Sequence, residues 1–120
     1  MTNYDVILAG GGVMGCAIAY HLLKQDRTLR IAIIEKDPTY KLSSTLLSDG
    51  NIRIQFNLKE NILISRYGLD MLTRFSEEMA VSETKPDVMF RQQGNLFLVD
   101  EASRETALAG MHLQRSCGGV

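Results

Sequence analysis

Residues 4–15 read YDVILAGGGVMG, and they are the most informative stretch of the chain. It places the spacing Gly-x-Gly-x-x-Gly directly after a short apolar run and directly before a helix-like run. A second apolar run, residues 31–34, is closed by Glu35, which lies twenty residues after Gly15. Strand, glycine turn, helix, strand and terminal acid are together typical of the first βαβ unit of a dinucleotide-binding sheet.

Each of the three motif glycines has a mechanical role in such a turn. Gly10 permits the tight turn out of the strand, Gly12 lets a pyrophosphate approach the backbone, and Gly15 lets the helix pack close to the sheet. The N–H groups of Val13 and Met14 then stand at the helix N-terminus. Unpaired donors and the positive end of the helix dipole attract phosphate there.

Glu35 is predicted to accept hydrogen bonds from the hydroxyls of an adenosine ribose. A carboxylate at this point also repels a 2′-phosphate, which favours FAD or NAD over NADP. A solvated acid at a strand end is the alternative, and it would be preferred if the glycine turn were absent. Lys36, the next residue, is included in the predicted cofactor-binding set.

The composition excludes several classes of protein. A chain of 120 residues is about one domain, and 45% hydrophobic with 22% charged residues is ordinary for a globular protein. Thirteen basic against fourteen acidic residues give no excess of positive charge for nucleic acid. No apolar run approaches the ~18 residues of a membrane span. Two cysteines form no disulfide framework and no metal-ligand spacing is present, so we expect a cytoplasmic protein without a metal.

The first half of the chain predicts a βαβ unit and a long connection. Strands are expected over residues 6–9 and 30–35, joined by a helix over residues 13–25. Residues 37–57 have little periodicity, and long connections inside a compact domain are often functional.

The second half predicts a long helix, a β-hairpin and a last helix. Asn57 and Glu60 resemble a capping box at the start of the long helix. Its inward face would carry Leu58, Ile62, Ser65, Leu69, Leu72, Phe75 and Met79. Residues 88–93 and 96–99 are strand-like and flank Gly94-Asn95, which is a typical hairpin turn. Asp100 is expected to cap a helix that reaches about Gln114, with Ala107, Leu108 and Met111 facing inward.

The fold class is therefore α/β, with an incomplete doubly wound domain. Such a domain needs more parallel strands than the two counted here. Residues 118–120, Gly-Gly-Val, resemble the start of a turn into another strand. We predict that residues 1–120 are the N-terminal part of a longer dinucleotide-binding domain.

Three segments resemble a known family. YDVILAGGGVMGCAIAYHLLK, IAIIEKD and SSTLLSDGNIRIQF are similar to FAD-dependent amine and amino-acid oxidoreductases of the D-amino-acid oxidase superfamily. The sarcosine, dimethylglycine and glycine oxidase or dehydrogenase branches are the most similar, and FRQQGNLFLVDEA fits the same pattern. The resemblance covers nearly the whole chain but only the N-terminal part of the family's Rossmann-like fold. It implies that the cofactor is FAD.

By this resemblance, Ser43, Ser44 and Thr45 contact the pyrophosphate and ribityl chain of the flavin. Short hydroxyls suit that role because they donate to phosphate oxygens without adding bulk. A loop that turns by its own side-chain hydrogen bonds is the alternative. The family often has Ala-Gly-Gly where this chain has Asp49-Gly50-Asn51, which adds a carboxylate near the flavin.

The resemblance also implies a substrate residue. Arginine binds amino-acid carboxylates in this family, since its planar fork matches a carboxylate bidentately. Arg53 stands in the corresponding segment, and an arginine in a surface or internal ion pair is the alternative.

The implied function is oxidation of the C–N bond of an amine or N-methyl amino acid by hydride transfer to flavin, with oxygen or an electron-transfer partner as acceptor. No catalytic acid or base is visible in these residues, so we expect the chain alone to be inactive. Two rivals stay open. An NAD-dependent dehydrogenase would use the same turn and acid, and a non-catalytic dinucleotide-binding module would keep the fold.

Overall fold

The computed structural model describes residues 3–119, which form two compact units that divide after Asn51. The first unit contains strand β1 (Val6–Ala9), helix α1 (Val13–Gln25), strand β2 (Ile31–Ile34) and the single-turn helix α2 (Ser44–Leu47). The two strands are parallel and pair with Val6 opposite Ile31. The predicted βαβ unit is confirmed, with β2 one residue shorter at each end than expected.

Helix α1 packs against both strands and buries Ala19. Because side chains alternate along a strand, Val6 and Leu8 share one face of the sheet and are half-buried. The opposite face carries Ile7 and Ile34, which are 62% and 61% exposed. The sheet is therefore apolar on both faces, as expected of parallel strands that are built to be covered twice.

An ion pair joins the first ends of the two strands. Arg30 donates its backbone N–H to Asp5 Oδ2 over 2.8 Å, and its guanidinium Nη2 lies 3.0 Å from Asp5 Oδ1. The backbone N–H of Asp5 donates in return to the carbonyl of Arg30 over 2.9 Å. Hydrogen bonds from the Arg30 side chain and backbone lower the pKa of Asp5 to about 2. This ion pair therefore stabilises the end of the sheet that lies away from the glycine turn.

This ion pair predicts an acid-dependent loss of stability. The pKa of Asp5 is lower in the folded than in the unfolded chain, so its stabilisation is present above about pH 4 and is lost as pH falls toward about pH 2. We expect Asp5→Asn to be less stable than wild type near neutral pH and to lose less stability on acidification. Urea unfolding at several pH values measures this. Asp70→Asn, at an exposed position on the second unit, is the control, and equal pH profiles for Asp5→Asn and wild type would refute the role.

The second unit is built from helices. Its elements are α3 (Lys59–Thr73), the single-turn helix α4 (Phe75–Glu78), a 3₁₀ turn (Glu101–Ser103) and α5 (Arg104–Ser116). Helices α3 and α5 pack together and fully bury Ile62. Among residues 3–119 no helix is long and apolar enough to cross a bilayer.

Two side chains tie α3 and α5 to the rest of this unit. The guanidinium of Arg66 donates to the carbonyl of Cys117 just after α5. Gln114 Nε2 donates to the carbonyl of Phe56 over 3.2 Å, so the segment before α3 is attached to α5.

The long helix differs from its prediction at both ends. Leu58 is the N-cap and no side chain caps the helix, so the capping box is wrong. Asn57 packs against α5 instead, since a Cβ at Gly110 would lie 2.5 Å from its Oδ1. The helix breaks at Arg74, whose backbone leaves the helical region (φ −111°, ψ 6°).

The last helix extends past Gln114, and its first turn differs from the prediction. Asp100 accepts a hydrogen bond from the N–H of Ser103 over 2.9 Å and so caps the 3₁₀ turn, whereas Ser103 is the N-cap of α5 and makes no side-chain cap. Leu108 is 39% exposed, so its predicted inward position is wrong, and Gly110 is the buried residue of α5. Cys117 is the C-cap of α5, and Gly118, at φ +69°, follows it in the left-handed conformation common after helices. The turn into another strand over residues 118–120 stays a prediction. Val120 lies outside the described residues.

The predicted β-hairpin is wrong. Residues 88–93 and 96–99 contain no strand in the described structure, and Gly94 does not take the positive φ of a type I′ turn. Leu96 and Leu98 are 85% and 88% exposed. A two-stranded hairpin is marginally stable without a third strand or a helix to cover it. Since these apolar side chains find no packing surface, strand propensity alone does not form the hairpin.

Candidate cofactor-binding site

The glycine turn between β1 and α1 is shaped by Gly10 and Gly15. Gly10 has φ +106°, a conformation that side-chain-bearing residues rarely adopt. Its N–H donates to the carbonyl of Ile34 over 2.8 Å, which fixes the turn to β2. A Cβ at Gly15 would lie 2.0 Å from the carbonyl oxygen of Gly10. Both positions therefore require glycine, for the reasons that the motif predicts.

The N-terminus of α1 presents backbone donors with little protein around them. Gly12 is the N-cap of α1, no side chain of the described residues caps the helix, and its first turn has no acid. The N–H of Val13 donates to Thr45 Oγ1 over a long 3.4 Å, and the N–H of Met14 has no acceptor among residues 3–119. A Cβ at Gly12 would meet only Thr45 Oγ1, at 3.8 Å. Open space in front of free donors at a helix N-terminus fits an anionic group such as a pyrophosphate.

Glu35 closes the turn from the end of β2. Its Oε2 accepts the N–H of Gly11 over 2.7 Å, and its Oε1 accepts the N–H of Asp37 over 2.9 Å. These two hydrogen bonds, that from Asp37 first, lower the pKa of Glu35. Each carboxylate oxygen keeps a further lone pair, so Glu35 can still accept from a ligand hydroxyl. The contact with Gly11 was not foreseen from the sequence, which assigned that glycine no role.

Tyr40 is the second residue that sequence reasoning missed. Asp37 Oδ1 accepts both the N–H of Thr39 over 2.9 Å and its hydroxyl over 2.6 Å, and this turn brings the chain back toward the glycines. The hydroxyl of Tyr40 lies against Gly11, 2.9 Å from where a Cβ would stand. The Asp-x-Thr pattern could have indicated the turn, but no sequence signal gives the direction of the tyrosine side chain.

The three hydroxyl residues Ser43, Ser44 and Thr45 make different contacts. Ser43 caps α2 by accepting the N–H of Leu46 over 3.3 Å, which is the local use given as the alternative. Ser44 begins α2 and is exposed, as is Lys36. Of the three hydroxyls, only that of Thr45 contacts the glycine turn.

Arg53 belongs to the second unit and lies on a cavity of about 770 Å³ within it. Its guanidinium carbon is 4.8 Å from the ring centroid of Phe56 and 5.8 Å from that of Phe97. The cavity has a second arginine, Arg104, and no acidic lining residue within the described part of the chain. Arg53 is exposed and makes no ion pair within the described residues, so the internal ion pair is not observed. The cation therefore stays available to an anionic ligand.

One buried polar atom in this unit has no partner. Gln55, which also lines the cavity, donates its Nε2 to the carbonyl of Asn95 over 3.0 Å. Its Oε1 is buried and accepts no hydrogen bond from the described residues. Such an atom lowers stability unless a donor reaches it.

The close contact at Gly15 gives a stability prediction. Gly15→Ala would place a Cβ against a backbone oxygen that cannot rotate away, so we expect a loss of about 3 kcal/mol or more in the free energy of unfolding. Gly68→Ala, inside α3 with open space around it, is the control and should stabilise by roughly 0.5–1 kcal/mol. Denaturant unfolding of the two variants measures both. Equal stability of Gly15→Ala and wild type would show that the close packing of α1 on the turn is absent.

The site has the features of a nucleotide-binding α/β protein: two parallel strands, a glycine turn between the first strand and the helix, and an acid at the end of β2. The family model described as FAD dependent oxidoreductase (DAO) matches residues 5–119. The chain belongs to this family, whose cofactor is FAD.

Curated relatives support the same family. The chain is 39% identical over 118 residues to FAD-dependent oxidoreductase domain-containing protein 1 of Xenopus laevis, covering 95% of this chain and 24% of that protein. It is 35% identical over 122 residues to the homolog of that protein in Drosophila melanogaster, covering 98% and 22%. It is 24% identical over 124 residues to the mitochondrial L-2-hydroxyglutarate dehydrogenase of Caenorhabditis briggsae, covering 99% and 26%.

The chain spans about a quarter of the length of these curated relatives. No solved structure gives a significant match.

Proposed function

We propose that this chain is the N-terminal, FAD-binding region of an oxidoreductase that oxidises the C–N bond of an amine or an N-methyl amino acid by hydride transfer to the flavin. The observation that carries the FAD-binding part of the proposal is the open glycine turn, with the unpaired N–H of Met14 on one side and Glu35 on the other. The C–N reaction is what the resemblance to the D-amino-acid oxidase superfamily implies. FAD supplies the electron acceptor, and the protein binds and orients it. The rival NAD-dependent dehydrogenase is not supported, because the family is FAD-dependent.

The proposed cofactor contacts follow from this geometry. Gly10, Gly12 and Gly15 shape the turn, and the N–H groups of Val13 and Met14 face the pyrophosphate. Glu35 accepts from the ribose hydroxyls. The exposed side chains of Lys36 and Ser44 and the hydroxyls of Ser43 and Thr45 complete the proposed set. The Ser43 hydroxyl accepts the N–H of Leu46 and still has its own hydrogen to donate to a phosphate oxygen.

The turn predicts the effect of filling the space at Gly12. Gly12→Ala places a Cβ where the structure has room for it, so folding should be unchanged while the approach of a phosphate is blocked. We expect the full-length variant to bind FAD at least about tenfold more weakly than wild type. Titration of the apoprotein with FAD, followed by flavin fluorescence, measures the affinity.

Gly94→Ala is the matched control, because a Cβ there also meets open space and the residue lies in the second unit. Its FAD affinity should equal that of wild type. If Gly12→Ala binds FAD as wild type does, the pyrophosphate does not lie on this turn. If purified full-length wild type shows no flavin absorbance and binds no added FAD, the proposed function is wrong.

The proposed substrate carries a carboxylate. Arg53 is held against two aromatic rings in a cavity without acidic residues, and a planar guanidinium so placed suits bidentate binding of a carboxylate. The apolar lining, which includes Ala107 and Met111, suits the carbon chain of an amino acid.

A second candidate reaction is oxidation of a 2-hydroxy acid. Like an amino acid, a 2-hydroxy acid carries its carboxylate on the carbon that is oxidised. The observation in its favour is the similarity to a protein named L-2-hydroxyglutarate dehydrogenase. Anaerobic mixing of the full-length protein with N-methyl amino acids and with 2-hydroxy acids separates the two. Loss of the flavin absorbance near ~450 nm identifies the class that reduces the cofactor. A protein that binds FAD and is reduced by neither class would be the non-catalytic module.

The cavity predicts a defect when Arg53 is replaced. In the full-length enzyme we expect Arg53→Ala to raise KM for a carboxylate substrate by at least about tenfold, since a charge-assisted hydrogen bond is lost. Arg53→Lys should be intermediate, because a lysine keeps the charge but not the planar fork. Arg27→Ala, at an exposed loop of the first unit, is the control. An unchanged KM in both Arg53 variants removes the proposed role.

We further propose that residues 1–120 alone turn over no substrate, because no acid or base for the reaction is assigned within them. Steady-state assay of the isolated chain with FAD tests this, and measurable turnover would refute it. The acceptor that reoxidises the flavin is proposed to be oxygen or an electron-transfer partner. A cytoplasmic location stays a proposal based on two free cysteines, Cys16 and Cys117, and cell fractionation tests it.

A further inference from the structure

Tyr40 has a strained backbone beside the glycine turn. Its φ of +57° is rare for a bulky side chain. Two hydrogen bonds hold it there: its own N–H donates to the carbonyl of Asp37 over 3.0 Å, and its carbonyl accepts the N–H of Ser43 over 2.9 Å. Strained conformations of this kind persist where the surrounding structure imposes them, and they concentrate at ligand sites.

The side chains of Tyr40 and Glu35 both lie against Gly11. Measured from the position of a Cβ at Gly11, the Tyr40 hydroxyl oxygen lies at 2.9 Å and Glu35 Oε2 at 3.5 Å. Both oxygens are therefore close to the backbone of Gly11. The second glycine of the three-glycine run is thus covered by two polar side chains, while Gly10 and Gly12 stay open.

The hydroxyl of Tyr40 is polar but unused within the protein. It makes no hydrogen bond to any of the described residues, and the residue is 36% exposed. Packing alone does not require the hydroxyl, because phenylalanine would fill the same volume. A tyrosine oxygen held in this place can both donate and accept, whereas the Glu35 carboxylate only accepts.

We propose that Tyr40 is a second ribose-binding residue of the cofactor site, and this inference rests on the proposed function. The ribose of FAD carries two adjacent hydroxyls. One hydroxyl donates to Glu35, and the other exchanges a hydrogen bond with the Tyr40 hydroxyl. Tyr40 and Glu35 thereby form a two-point site for a vicinal diol, with Gly11 as the floor between them.

The test is the FAD affinity of full-length Tyr40→Phe, which removes one oxygen and leaves the ring. Loss of one hydrogen bond between neutral groups weakens FAD binding by roughly 3- to 10-fold. Tyr4→Phe, at a half-exposed position before β1, is the matched control and should bind as wild type does. The melting temperature of both variants should stay at the wild-type value, because the Tyr40 hydroxyl has no partner among the described residues.

FAD analogues that lack one adenosine hydroxyl separate a direct contact from an indirect one. For the analogue that lacks the hydroxyl bound by Tyr40, wild type and Tyr40→Phe should have the same affinity. For the analogue that lacks the other hydroxyl, the difference between them should persist.

Two results overturn the inference while wild type still binds FAD. The first is a Tyr40→Phe affinity within twofold of wild type, and the second is an equal penalty with both analogues. If wild type itself binds no FAD, the proposed function fails and this inference fails with it. The wild-type titration therefore distinguishes the two failures.

Discussion

The hydrogen bond from the N–H of Gly11 to the Glu35 carboxylate connects the two halves of the nucleotide-binding motif. It spans the gap between the turn after β1 and the end of β2 with a 2.7 Å contact. The N–H groups of Asp37 and Gly11 lower the pKa of the Glu35 carboxyl group, so its ionised form is favoured. The Glu35 carboxylate therefore holds the turn and is also the acceptor proposed for the ribose. Together with the hydrogen bond from the N–H of Gly10 to the carbonyl of Ile34, this contact holds the turn at the end of β2.

The parts of the fold that the sequence predicts well are set by neighbouring residues. The strand β1 and the helix α1 have the predicted bounds, because Gly10 breaks the strand and helical spacing begins at once after Gly12. The roles of Gly10 and Gly15 follow from the motif and reappear as a positive φ and a close contact. Family membership and the FAD dependence of the family are likewise indicated by the motif and the segments that follow it.

The parts that the sequence predicts poorly depend on distant partners. Asn57 has the right spacing for a capping box, but it packs on Gly110, more than fifty residues away. Residues 88–99 have strand propensity, but a hairpin needs a surface to cover it. Tyr40 lies beside Gly11 because the turn formed by Asp37 and Thr39 and its own positive φ redirect the chain. No pattern in the sequence predicts the direction of the tyrosine side chain. The assignment of Arg53 to an apolar cavity also required the structure.

The long hydrogen bond between the N–H of Val13 and Thr45 Oγ1 has a consequence for the order of events when a ligand arrives. A neutral contact of 3.4 Å is weak, whereas a hydrogen bond from the same N–H to a phosphate oxygen is assisted by charge. The Thr45 hydroxyl therefore binds the N–H of Val13 only weakly, and an anion would replace it easily. A phosphate oxygen that took over this N–H would release the Thr45 hydroxyl, which could then donate to the same anion. The position of α2 would in that case follow the occupancy of the phosphate site.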